Sequence, residues 1–63
     1  MNVKLKIKRL PETDEWAVQW WEDGVYSEDK TYYTNDREDA AGTARLMAEE
    51  AYRMGYQNVE VFS

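Results

Sequence analysis

The sequence predicts an α+β fold: a two-layer β-β-β-α-β chain with a mixed four-stranded sheet, order 3-2-1-4, and one helix packed on one face. Three observations carry that expectation. VKLKIK, residues 3 to 8, alternates apolar and basic side chains with the period of two of a half-buried strand. Asp23-Gly24 stands between two strand-like runs and is a strong signal for a tight hairpin, because glycine accepts positive φ without a Cβ clash. From Asn35 or Asp36 the period lengthens to about 3.6, the mark of an amphipathic helix.

In the first strand Val3, Leu5 and Ile7 fall on one face and Lys4, Lys6 and Lys8 on the other. Pro11 removes a backbone donor, and PETDE reads as a polar connection ending at Trp16. A second strand, residues 16 to 21, turns Trp16, Val18 and Trp20 inward and Ala17, Gln19 and Trp21 outward, so Trp16 and Trp20 are expected in the core and Trp21 substantially exposed. A third strand lies within residues 25 to 34, VYSEDKTYYT, which does not alternate cleanly. Shifting its turn by one residue exchanges which tyrosine faces the core, so its register stays open, and SEDK reads as a bulge or a bend.

The helix that follows has Asn35 or Asp36 to cap its free N–H groups, and Glu38 and Asp39 to suit the positive end of its dipole. Ala40, Ala44, Met47, Ala48 and Ala51 form one stripe, rich enough in alanine for the helix to approach the sheet closely. Gly42 is expected at a close helix contact and Gly55 at the helix stop. NVEVF is a last short strand with Val59 and Val61 inward and Glu60 outward. A right-handed crossover returns it parallel to a neighbour. Pairing with the first strand buries both flanks of the most regular strand, which favours order 3-2-1-4 over 1-2-3-4. No repeat, linker or low-complexity stretch interrupts residues 1–63, which are read as a single domain.

Sixty-three residues lie near the lower size at which a core unaided by disulfide or metal outweighs chain entropy. Aromatic residues make up 14% of the chain and supply burial area that so short a chain cannot draw from aliphatics alone. With no cysteine and no histidine, disulfide frameworks, zinc ribbons, thiol nucleophiles and imidazole acid–base chemistry are excluded together. No apolar run approaches the ~18 residues of a membrane span, and the N-terminal residues carry no apolar signal core. The expectation is a cytoplasmic protein with no membrane segment.

The thirteen carboxylates fall in stretches such as SEDK and NDRED that match no calcium-loop pattern, so no metal site and no cofactor are expected. Ser27 and Ser63 are the only serines and neither sits in a nucleophile elbow. Gly24, Gly42 and Gly55 are too scattered for a phosphate loop. No catalytic residue emerges, and the chain is read as a non-enzyme.

Charge is what distinguishes the chain. Eight bases against thirteen acids give a net charge of −5, yet residues 1 to 9 hold four bases and no acid. Residues 12 to 39 hold ten acids and two bases. The first functional expectation is therefore a small acidic binding or regulatory protein that meets a basic protein partner through Glu22, Asp23, Glu28 and Asp29, at the hairpin tip and its flank. The alternative is a nucleic-acid-binding module on the outer sheet face, where Lys4, Lys6, Lys8, Gln19 and Trp21 gather, with Lys30 and Tyr32 as further members. Net negative charge opposes phosphate, so an acidic partner segment or a second copy suits that face better. A third reading is an acidic mimic of DNA. The sequence leaves monomer or homodimer open.

Two local runs resemble known families, each over about half of the chain. The meander followed by TYYTNDREDAAGTA resembles antitoxins of the HicB type, which have a turn, an acidic pair and an alanine-rich helix there. W-x-V-x-W-x-x-D-G followed by T-x-x-x-E-D-A is similar to the arm-binding domain of phage integrases. These resemblances imply a phage or mobile-element origin, and neither identifies the chain.

Overall fold

The computed structural model describes residues 1–63. They form β1 (Asn2–Leu10), β2 (Glu15–Glu22), β3 (Val25–Thr34), α1 (Arg37–Arg53) and β4 (Asn58–Phe62). The sheet order is β3-β2-β1-β4, with β1 antiparallel to β2 and parallel to β4. This is the expected α+β architecture, with β1 at its centre. No helix is long and apolar enough to cross a membrane.

Alternation along β1 does what its sequence requires. Val3 and Leu5 are fully buried, and across the ladder Leu5 meets Trp20 while Ile7 meets Val18. α1 covers this face with Ala40, Ala44 and Ala51, all fully buried, and with Met47 and Ala48 partly so. Small helix residues let the helix lie close to a sheet that supplies the large rings. Trp20 and Tyr56 meet edge to face at 6.0 Å within this core.

Local chemistry sets the boundaries. Asp23 and Gly24 both take positive φ, 48° and 83°, the pair that a two-residue hairpin turn needs to match strand twist. Asp36 caps α1 by accepting from the Glu38 N–H at 3.0 Å. At the other end Gly55 takes φ 102°, while Tyr56 N–H donates to Ala51 C=O and Gly55 N–H to Tyr52 C=O, closing a Schellman motif that delivers Tyr56 into the core.

Four expectations need correction. Trp16 faces inward and packs against the core but is only half-buried: it pairs with Arg9 and Thr34 near the end of the sheet, where the guanidinium groups of Arg9 and Arg37 lie 5.6 and 5.9 Å from its ring. Trp21 faces outward but is also half-buried. The contrast in burial is therefore between Trp20 and the other two. Gly42 makes no close contact, since a Cβ there would meet nothing within 4 Å. Val61 shares the inner face through its pairing with Leu5, yet it stays exposed at the sheet edge.

The open question of the β3 register is settled by a bulge. Trp20 pairs with Ser27, but two residues back along β2, Val18 pairs with Tyr32, five residues on along β3. Three extra residues (5 − 2) are accommodated within SEDK and Thr31, and the Thr31 hydroxyl fastens the bulge by donating to Ser27 C=O at 2.8 Å. An odd insertion exchanges the faces of everything beyond it. Tyr32 thus turns to the helix side and Tyr33 to the outer side.

Candidate functional site

One helix covers one face of the sheet, so the other face is left to solvent, and its composition follows from the registers. Lys4 lies between Trp21 and Glu60; Lys6 between Gln19 and Phe62; Lys8 beside Ala17, which in turn neighbours Tyr33. Tyr26 extends the first of these rows beyond Trp21. Lys4 and Lys6 are set against rings, and none of the three lysines pairs with an acid. Lys6 Nζ sits 4.4 Å from the Trp21 ring centroid and Lys4 Nζ 6.0 Å from that of Phe62, while the three ion pairs of the molecule are Arg9–Asp14, Lys30–Glu22 and Arg53–Glu50. Trp21 is further fixed by its indole N–H, which donates to Gln19 Oε1 at 3.1 Å, and by Tyr26, whose ring lies 5.3 Å away. A groove of about 360 Å³ opens here, with Lys6, Lys8, Arg9, Gln19, Trp21 and Phe62 among its walls.

This brings together all five residues expected of the outer face. Lys30 and Tyr32, expected beside them, lie on the other side because of the bulge: Lys30 Nζ is 5.0 Å from the Trp20 ring and 3.5 Å from Glu22, and the Tyr32 hydroxyl donates to Asp39 at 2.6 Å. Phe62, Tyr26 and Tyr33 were missed. Strand alternation of NVEVF puts Phe62 on the face of Glu60, a signal already present in the sequence, whereas the two tyrosines depended on the unread register.

The acidic set does not form one surface. Glu22 lies on the helix side, opposite Val3, and accepts from the Trp20 indole N–H at 3.1 Å. The Tyr56 hydroxyl, the Trp20 indole and Lys30 hold its carboxyl below the usual range. Glu28 accepts from the hydroxyls of Tyr26 and Tyr33, both at 2.6 Å, which lower its pKa while raising that of Tyr33. Asp23 accepts from the Asn2 N–H at 2.8 Å and so ties the hairpin to the start of β1. Asp29 alone, exposed in the bulge, carries neither hydrogen bond nor ion pair. Of the four carboxylates expected to meet a basic partner, Glu22, Asp23 and Glu28 thus accept hydrogen bonds within the fold and Asp29 does not.

The chain matches no family model, no curated protein and no solved structure. Its function has to be read from geometry.

Proposed function

We propose that this chain is a small non-enzymatic binding protein whose outer sheet face, centred on Lys4, Lys6, Lys8, Gln19 and Trp21, docks an acidic surface of a partner protein. The observation that supports this is a row of three lysines free of internal carboxylates, two of them set against the rings of Trp21 and Phe62, on the one sheet face that no element covers. Aromatic groups supply burial at an interface, and charge supplies specificity and association rate. A basic partner on Glu22, Asp23, Glu28 and Asp29 is the weaker reading, because three of those four carboxylates already accept hydrogen bonds within the fold. Nucleic acid on the lysine face is weaker too. Glu60 stands beside Lys4 and Glu28 beyond Tyr26 and Tyr33, so a phosphate strand leaving the short basic run meets carboxylates.

Titration with poly-glutamate, poly-lysine and a single-stranded oligonucleotide tests this reading. Poly-glutamate is expected to bind and to be lost in Lys6→Glu/Lys8→Glu but kept in Asp23→Lys/Asp29→Lys. Poly-lysine binding abolished only by Asp23→Lys/Asp29→Lys would return recognition to the hairpin flank. Oligonucleotide binding that is lysine-dependent and weakens steeply with salt would make the face a nucleic-acid platform.

A further inference from the structure

The ladder between β1 and β4 runs from Asn2↔Asn58 to Lys6↔Phe62, whereas β1 continues to Leu10. The last four residues of β1 therefore have β2 on one side and no strand on the other. Which main-chain groups turn to the open side follows from one bond. Asp23 N–H donates to Asn2 C=O, and bonded pairs alternate along an antiparallel ladder, so even-numbered residues of β1 bond to β2 and odd-numbered ones face away. The Ile7 carbonyl and both main-chain groups of Arg9 lie on that open side. The outer-face groove sits at this step in the sheet, and four successive residues of β1, Lys6 to Arg9, line it. The groove runs over the outer face from Gln19 and Trp21 of β2 across β1 to Phe62 and Ser63, so it reaches the side on which β4 ends.

We propose that the partner's acidic segment adds as a short β-strand along the open edge of β1 from Ile7 to Leu10, with carboxylates at alternate residues beside Lys6 and Lys8. This rests on the outer-face reading above and gives its partner a conformation. Lys6 and Lys8 are two residues apart, about 6.6 Å along the strand, and an extended peptide repeats its own side chains on one face at the same interval. Charge and backbone register therefore agree. A free strand edge is a ready template for such pairing, in which main-chain bonds give affinity and alternate side chains give selectivity. A phosphate strand could satisfy the lysines, yet it would leave the Arg9 N–H and the Ile7 carbonyl without the partners that a peptide supplies.

The probe is a peptide of alternating glutamate and threonine, titrated by calorimetry against the wild-type chain and three variants. Lys6→Glu/Lys8→Glu is expected to abolish binding. Arg9→Pro removes the open-side N–H at a position where an edge strand tolerates proline, and is expected to weaken binding by about tenfold relative to Arg9→Ala, which loses only the guanidinium. Two peptides N-methylated on one or the other alternate set of amides decide the matter even if Arg9→Pro fails to fold: one should lose binding and the other keep it. Equal binding of both methylated peptides, or no binding of the parent peptide, overturns strand addition. If lysine reversal still abolishes poly-glutamate binding in that case, the outer-face reading stands; if reversal is silent, both fall.

Discussion

Replacing Trp20 by alanine is expected to remove a large part or all of the fold's stability, whereas Trp21→Ala should leave a folded but weaker protein. Trp20 is 4% exposed and its ring meets Tyr56 within the core. Burying a ring of this size removes roughly 150–250 Å² from water, about 4–6 kcal/mol at ~25 cal/mol/Å², and deletions of buried tryptophan cost about 3–5 kcal/mol. A domain of this length holds roughly 3–9 kcal/mol in total, so the loss takes from about a third to all of it. Trp21 makes one aromatic contact, with Tyr26, and one cation contact, with Lys6. Together these are worth about 1–2.5 kcal/mol. Urea unfolding followed by far-UV circular dichroism separates the two without relying on the fluorescence being removed. At a slope of about 1 kcal/mol/M, Trp21→Ala lowers the midpoint by about 1–2.5 M, while Trp20→Ala lowers it by about 3–5 M or leaves no folded baseline. Equal midpoints for the two variants, or a larger loss for Trp21→Ala, would refute the face assignment.

Two further outcomes follow from the carboxylates and the glycines. Glu22, Glu28 and Asp39 are held low by hydroxyl donors, so their contribution is complete above the ordinary values of 4.5 and 3.8 and is lost as pH falls through the lowered ones. Tyr32, Tyr33 and Tyr56 are raised, so theirs is complete below pH 10.0 and is lost above it. The urea midpoint should fall at both extremes, and Tyr32→Phe/Tyr33→Phe should have a shallower acid limb; an unchanged limb would separate these hydroxyls from stability. Gly42→Ala should stabilise by about 0.5–1 kcal/mol, since the new methyl group meets nothing, while Gly55→Ala at φ 102° should cost about 1–2 kcal/mol. Thermal melts showing the same sign for both would contradict the helix end described above.

Most of the fold was legible because local signals and tertiary demands agree. The period of β1, the Asp23-Gly24 turn, the alanine stripe and Gly55 each specify a short-range geometry, and order 3-2-1-4 followed from giving β1 a neighbour on each side. The bulge was not legible in the same way. SEDK announces an irregularity, but whether it absorbs one, two or three residues depends on which tyrosine gains more by pairing with Val18 or Ala17, and that is a property of the assembled sheet. Trp16 was misjudged for a related reason. Its facing is local information, whereas its burial depends on how far α1 reaches along the sheet.

The candidate site was half legible, and the missing half concerns availability rather than position. A sequence displays carboxylates and lysines but not their donors and acceptors. Glu22 takes donors from Trp20, two residues before it, and from Lys30 and Tyr56, which only the fold brings near; Glu28 takes one from Tyr33 across the bulge. Net charge therefore misdirects. The acids that dominate the sum lie largely on α1, the loops and internal hydrogen bonds, whereas the lysines of β1 share a face and pair with no carboxylate. The lysines form a basic strip along β1, with Glu60 beside Lys4 and Glu28 beyond Tyr26 and Tyr33. On the proposed reading an acidic partner would be drawn to that strip and repelled by the acids around it, so the unfavourable net charge would narrow the approach even as it slows it. Binding weakened by added salt less than the lysine count suggests would be the signature of that opposition, because screening removes the repulsion together with the attraction.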